Sequence, residues 1–68
     1  MRGTIETVDA GRRIGFINCN SGRVFFHESN LWKLPWSAVT VGMRVEFKLS
    51  ENRGKLRAMN VKTPHDSK

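Results

Sequence analysis

Arg12-Arg13-Ile14-Gly15-Phe16-Ile17, then a short polar connection, then Val24-Phe25-Phe26-His27: the reading of this stretch decides the fold. Both apolar runs are short, rich in Phe, Val and Ile, and bounded by Asn18, Asn20, Ser21 and Gly22. Such runs predict two strands of a hairpin. Alternation sorts their side chains, because successive residues of a strand point to opposite faces. Ile17, Val24 and Phe26 are assigned to the core. Phe16, Phe25 and His27 are thereby left on the surface, beside Arg12 and Arg13. Aromatic rings on an exposed sheet flanked by positive charge suit stacking on unpaired bases.

The same residues resemble the two RNA-binding signatures of the cold-shock domain family. The first is usually Lys-Gly-Phe-Gly-Phe-Ile and stands here as Arg12 to Ile17. The second is usually Val-Phe-Val-His-Phe and stands here as Val24-Phe25-Phe26-His27-Glu28. Gly3-Thr4-Ile5, Gly42-Met43-Arg44-Val45-Glu46-Phe47 and Ala58-Met59-Asn60-Val61 resemble further segments of the family, in the family's order. The chain resembles a divergent member. Glu6-Thr7-Val8-Asp9 stands where Lys-Trp-Phe-Asn is usual, Ile14 replaces the first signature's first Phe, and Glu28 replaces the Phe after the His. The resemblance implies a five-stranded antiparallel barrel of OB type over residues 1–62, followed by a polar tail over 63–68. It also implies an RNA-chaperone role that holds transcripts unpaired without ATP or metal.

Charge points the same way. Twelve Lys and Arg against six Asp and Glu give a net charge of +6 on 68 residues, with a pI near 10.5. That balance favours polyanionic partners. The length permits one domain with a small core. The single Cys19 excludes an internal disulfide, and no Cys/His spacing suits a metal. No cofactor is expected. No apolar run approaches membrane-spanning length, and the N-terminus lacks the apolar stretch of a signal peptide. The expectation is a soluble cytoplasmic protein without a membrane partner. An initiating Met directly before the first strand favours a free-standing protein.

Along the chain, residues up to Asp9 predict a first strand with Ile5 in the core, Thr7 breaking the alternation before Val8. Asp9-Ala10-Gly11 is a turn signal. Leu31 to Leu34 suggests one helical turn capped by Ser29 or Asn30, and Pro35 precludes a longer helix. Arg44 to Leu49 alternates with Val45, Phe47 and Leu49 inward. Ser50 to Gly54 reads as a hairpin turn with Asn52 and Gly54 at positive φ. In Lys55 to Val61 the apolar positions change parity, which suggests a bulge near Ala58.

These readings predict a binder of single-stranded nucleic acid, RNA favoured over DNA, with low sequence selectivity. Phe16, Phe25 and His27 are the expected stacking residues. Trp32 or Trp36 is expected to supply a platform in place of those missing from the first strand, the alternative for at least one of them being to seal the open end of the barrel. Arg12, Arg13, Lys33, Arg53, Lys55 and Arg57 are the expected phosphate contacts. An enzyme is not expected, since His27 has neither a nucleophile nor a second general-acid group placed beside it. The rival reading is a cold-shock fold serving a protein partner, its stacking surface eroded at Glu6, Thr7, Val8, Ile14 and Glu28.

Overall fold

Residues 1–64 are described by a computed structural model, in which the period-two patterns become five strands. They are β1 (Arg2–Asp9), β2 (Ile14–Cys19), β3 (Gly22–His27), β4 (Arg44–Asn52) and β5 (Lys55–Lys62). The strands close into a barrel in the order β1-β2-β3-β5-β4, as an OB-type fold requires. Thr63 and Pro64 follow β5 without regular structure, and the rest of the expected polar tail, residues 65–68, lies outside the described residues. Among the described residues no helix is long and apolar enough to cross a membrane.

The barrel is not purely antiparallel. The chain runs up β1, down β2 and up β3, and β4 returns antiparallel to β1 on its other edge. β5 is antiparallel to β4 and therefore runs in the direction of β3, so the seam that closes the barrel is parallel, registered at Phe25 and Arg57. Beyond it, Leu31 pairs in parallel with Val61 and extends the seam into the connection.

Ile5, Ile17, Val24, Phe26, Val45, Phe47, Ala58 and Val61 form the interior together with Val39. Phe26 is the largest of the fully buried side chains. It lies opposite Gly15 in the β2–β3 register, and the reason for a glycine there is steric. A Cβ at Gly15 would stand 2.5 Å from the Thr7 carbonyl oxygen and 2.7 Å from two ring carbons of Phe26. Gly3 has the same role nearer the barrel's other seam, where a Cβ would meet Ile17 Cγ2 at 2.5 Å.

Two bulges account for the broken alternation in the sequence. β1 gains a residue between Ile5 and Thr7, so Glu6 and Thr7 are both exposed and Val8 returns toward the core. In the β4–β5 pair, Glu46 and Lys48 face Lys62 and Met59, which inserts a residue into β5. Asn60 absorbs it at φ +53, just beyond the expected position near Ala58. One consequence corrects the pattern expected in β4: Leu49 is exposed rather than inward, since beyond Phe47 the strand extends into a hairpin arm with no core beneath it. β4 also continues through Asn52, so the turn is shorter than expected. Its central pair is Arg53 and Gly54, at φ +55 and +79, the signature of a type I′ turn.

The connection after β3 also differs from expectation. Its helical turns are two short 3-10 segments, Glu28–Asn30 and Trp36–Ala38, rather than one turn over Leu31 to Leu34. His27 takes the first cap because its Nδ1 accepts the Ser29 N–H at 3.0 Å, while Asn30 Oδ1 accepts the His27 N–H at 2.9 Å. Leu31 is drawn away by its bridge to β5.

Replacing Gly15 by Ala is expected to destabilise the barrel by at least about 2 kcal/mol, the upper range of overpacking, because backbone and a buried ring both block the new methyl. Leu49→Thr should stay within about 0.5 kcal/mol, as an exposed position with no cap or network does. Chemical denaturation of the two variants beside the parent checks both.

Candidate nucleic-acid interface

Burying Phe26 forces its neighbour Phe25 to the outside, and burying Ile17 does the same for Phe16. The two rings meet across the strands, since Phe16 and Phe25 are register partners. Their centroids are 5.9 Å apart at an interplanar angle of 69°, an edge-to-face pair, and both rings are half-exposed.

Each ring carries a guanidinium. Arg23 Cζ lies 4.9 Å from the Phe16 centroid and Arg57 Cζ lies 5.4 Å from that of Phe25. At exposed sites such contacts contribute about 0.5–1 kcal/mol each. A groove of about 780 Å³ opens beside the rings and runs to the β4–β5 hairpin. Arg53, Lys55 and Arg57 line it from the hairpin side and Arg23 from β3, with Leu56 and Met59 adding apolar surface. Among the described residues, no carboxylate lines this groove.

The other expected contacts are spread differently. Arg12 and Arg13 sit in the β1–β2 turn, where Asp9 Oδ1 accepts the backbone N–H groups of Gly11 and Arg12. Arg13, at φ +57, pairs its Nη1 with Glu28 Oε2 at 3.0 Å. His27 is half-exposed on the side of Phe25, but its Nδ1 is occupied by the Ser29 cap. In the neutral ring this leaves the proton on Nε2.

The two tryptophans separate clearly. Trp36 is half-buried and packs on the core, its ring centroid 6.3 Å from that of Phe26. Trp32 is 46% exposed. Its backbone is pinned by an N–H bond to the Val61 carbonyl at 2.8 Å, and Lys33 and Lys62 place ammonium groups 4.7 and 5.1 Å from its ring.

The sequence pattern pointed to Glu6 at the edge of this surface but not to Arg23 or Lys62. Arg23 was recoverable: it stands two residues before Phe25 and so shares its face. Lys62 was hidden by the bulge at Asn60, which shifts every outward position after it. Glu6 is outward by plain alternation from buried Ile5, and its Oε1 reaches Arg23 Nε at 3.3 Å.

No curated protein matches the sequence. The family of the 'Cold-shock' DNA-binding domain matches over residues 1–64. A closed five-stranded barrel, paired outward phenyl rings and a family match along nearly its whole length together make this chain a member of the cold-shock domain family of nucleic-acid-binding domains.

Proposed function

We propose that this domain binds single-stranded nucleic acid, RNA in preference to DNA, by stacking bases on Phe16 and Phe25 while surrounding cations meet the phosphates. The observation that carries the reading is the half-exposed ring pair at the edge of a groove lined by Arg23, Arg53, Lys55 and Arg57. A ring without a hydrogen-bonding group offers every base the same face, so sequence selectivity is low. The preference for RNA is supported by the likeness of Arg12–Ile17 and Val24–Glu28 to the family's RNA-binding signatures. Trp32, with Lys33 and Lys62 against it, offers a further exposed ring beyond the pair. Trp36 supports the site from beneath through Phe26, and His27 through the cap that orders the connection.

The work proposed is that of a chaperone: unpaired RNA is held by stacking and charge, in the cytoplasm, with no chemistry and no cofactor. Glu6 and Glu28 stand where a phosphate binder would be expected to avoid them. Both are held in exposed ion pairs with arginines, which reduces their repulsion without abolishing it.

Titration with labelled oligo-uridine and oligo-thymidine at two salt concentrations tests the reading. Micromolar or tighter binding, weaker at high salt and accompanied by tryptophan quenching, is expected, with oligo-uridine the tighter. Phe16→Ala or Phe25→Ala should each cost about 1–3 kcal/mol, roughly 5- to 150-fold in Kd. No binding at low salt would instead favour a fold kept for a protein partner.

A further inference from the structure

The surroundings of the ring pair are electrically lopsided. Away from the hairpin stand two carboxylates, Glu6 on β1 and Glu28 beside the β1–β2 turn, each within 3.3 Å of an arginine nitrogen. Arg13 is engaged there with Glu28. On the hairpin side, Arg53, Lys55 and Arg57 form no ion pair among the described residues, and they share one groove with both rings. The parallel seam makes that groove continuous with the platform, since Arg57 is the register partner of Phe25.

The turn at the groove's far end adds an independent sign. Arg53 occupies the first central position of a type I′ turn at φ +55, where Asn or Gly fits and a residue with a bulky side chain is strained. An arginine there does nothing for the backbone. Unlike Arg13, which is at a similar φ but paired with Glu28, Arg53 lines the groove and has no ion pair among the described residues, so its strained backbone is set beside a charge open to a ligand.

We propose that a bound single strand leaves the Phe16–Phe25 pair across the β3–β5 seam and runs into the groove beneath the β4–β5 hairpin. Arg53 and Lys55 hold its phosphates there, and Arg12 and Arg13 lie off its path. This rests on the single-strand reading above and adds the direction of the strand. A phosphate chain turning the other way would pass Glu28 and Glu6 and compete with them for Arg13 and Arg23. Turning toward the hairpin, it meets only positive charge.

The turn strain supplies a test in which folding and binding move in opposite directions. Arg53→Gly should raise Tm, because glycine relieves the positive φ, and should still weaken binding. Loss of affinity in a more stable protein is not a folding defect. The Arg53→Gly/Lys55→Gln double variant and an Arg12→Gln/Arg13→Gln double variant are titrated with labelled oligo-uridine over a range of salt. The hairpin variant is expected to lose about tenfold in affinity, with its salt slope lowered by about 1.4, the share of two phosphate contacts on a single strand. The turn variant should change by less than about twofold. A hairpin variant that binds like the parent overturns the path and leaves the binding reading intact, and so do equal losses in the two variants. A parent that binds no oligo-uridine at low salt overturns both.

Discussion

One steric agreement underlies the rest of the structure: the ring of Phe26 lies where Gly15 has no side chain. The glycine lets a large ring cross β2 inside a barrel whose other buried side chains are mostly Val, Ile and Ala. Once that ring is inside, the parity of β3 has no freedom left. A slip of one residue would exchange Phe26 for Phe25 and turn His27 inward, reversing core and surface together. The ring pair is therefore outside as a consequence of packing. Its exposure is held by the same interior contacts that hold the fold.

The remaining features of the interface come from places where regular pairing fails. The bulge in β1 leaves Thr7 outward beside Glu6, whose carboxylate reaches Arg23, and the bulge at Asn60 brings Lys62 toward Trp32. Among the described residues, three of the four non-glycine residues at positive φ are basic: Arg13, Lys33 and Arg53. Each lies at a turn, where the backbone is sharply bent and a long side chain projects clear of the sheet. These three cations project from the rims, while Arg23 and Arg57, within the strands, lie over the rings themselves.

The losses from the usual family pattern fall mainly on one side of the platform. The aromatics missing from β1 are replaced by a bulge bearing a carboxylate, while β2, β3 and the hairpin retain rings and cations. An exposed ion pair contributes only about 0–1 kcal/mol, so Glu6–Arg23 and Glu28–Arg13 scarcely affect stability. Their effect is on the potential an approaching polyanion meets, which differs on the two sides of the same pair of rings.

Alternation along Ile14–Ile17 and Val24–His27 already determined the core residues Ile17, Val24 and Phe26 and the outward rings Phe16 and Phe25, and the net charge of +6 already favoured a polyanionic partner. Those follow from a period of two and from net charge, both local to the chain. The parity change in β5 was visible too, though not the residue that absorbs it. Tertiary structure alone decided that the β3–β5 seam is parallel, that Trp36 goes under the sheet while Trp32 stays out, and that Leu49 finds no core beneath it. It also decided which arginines are paired with carboxylates and which are left around the groove. Each of these depends on how strands distant in the chain meet once the barrel closes, and no short-range pattern records where a closing strand will land.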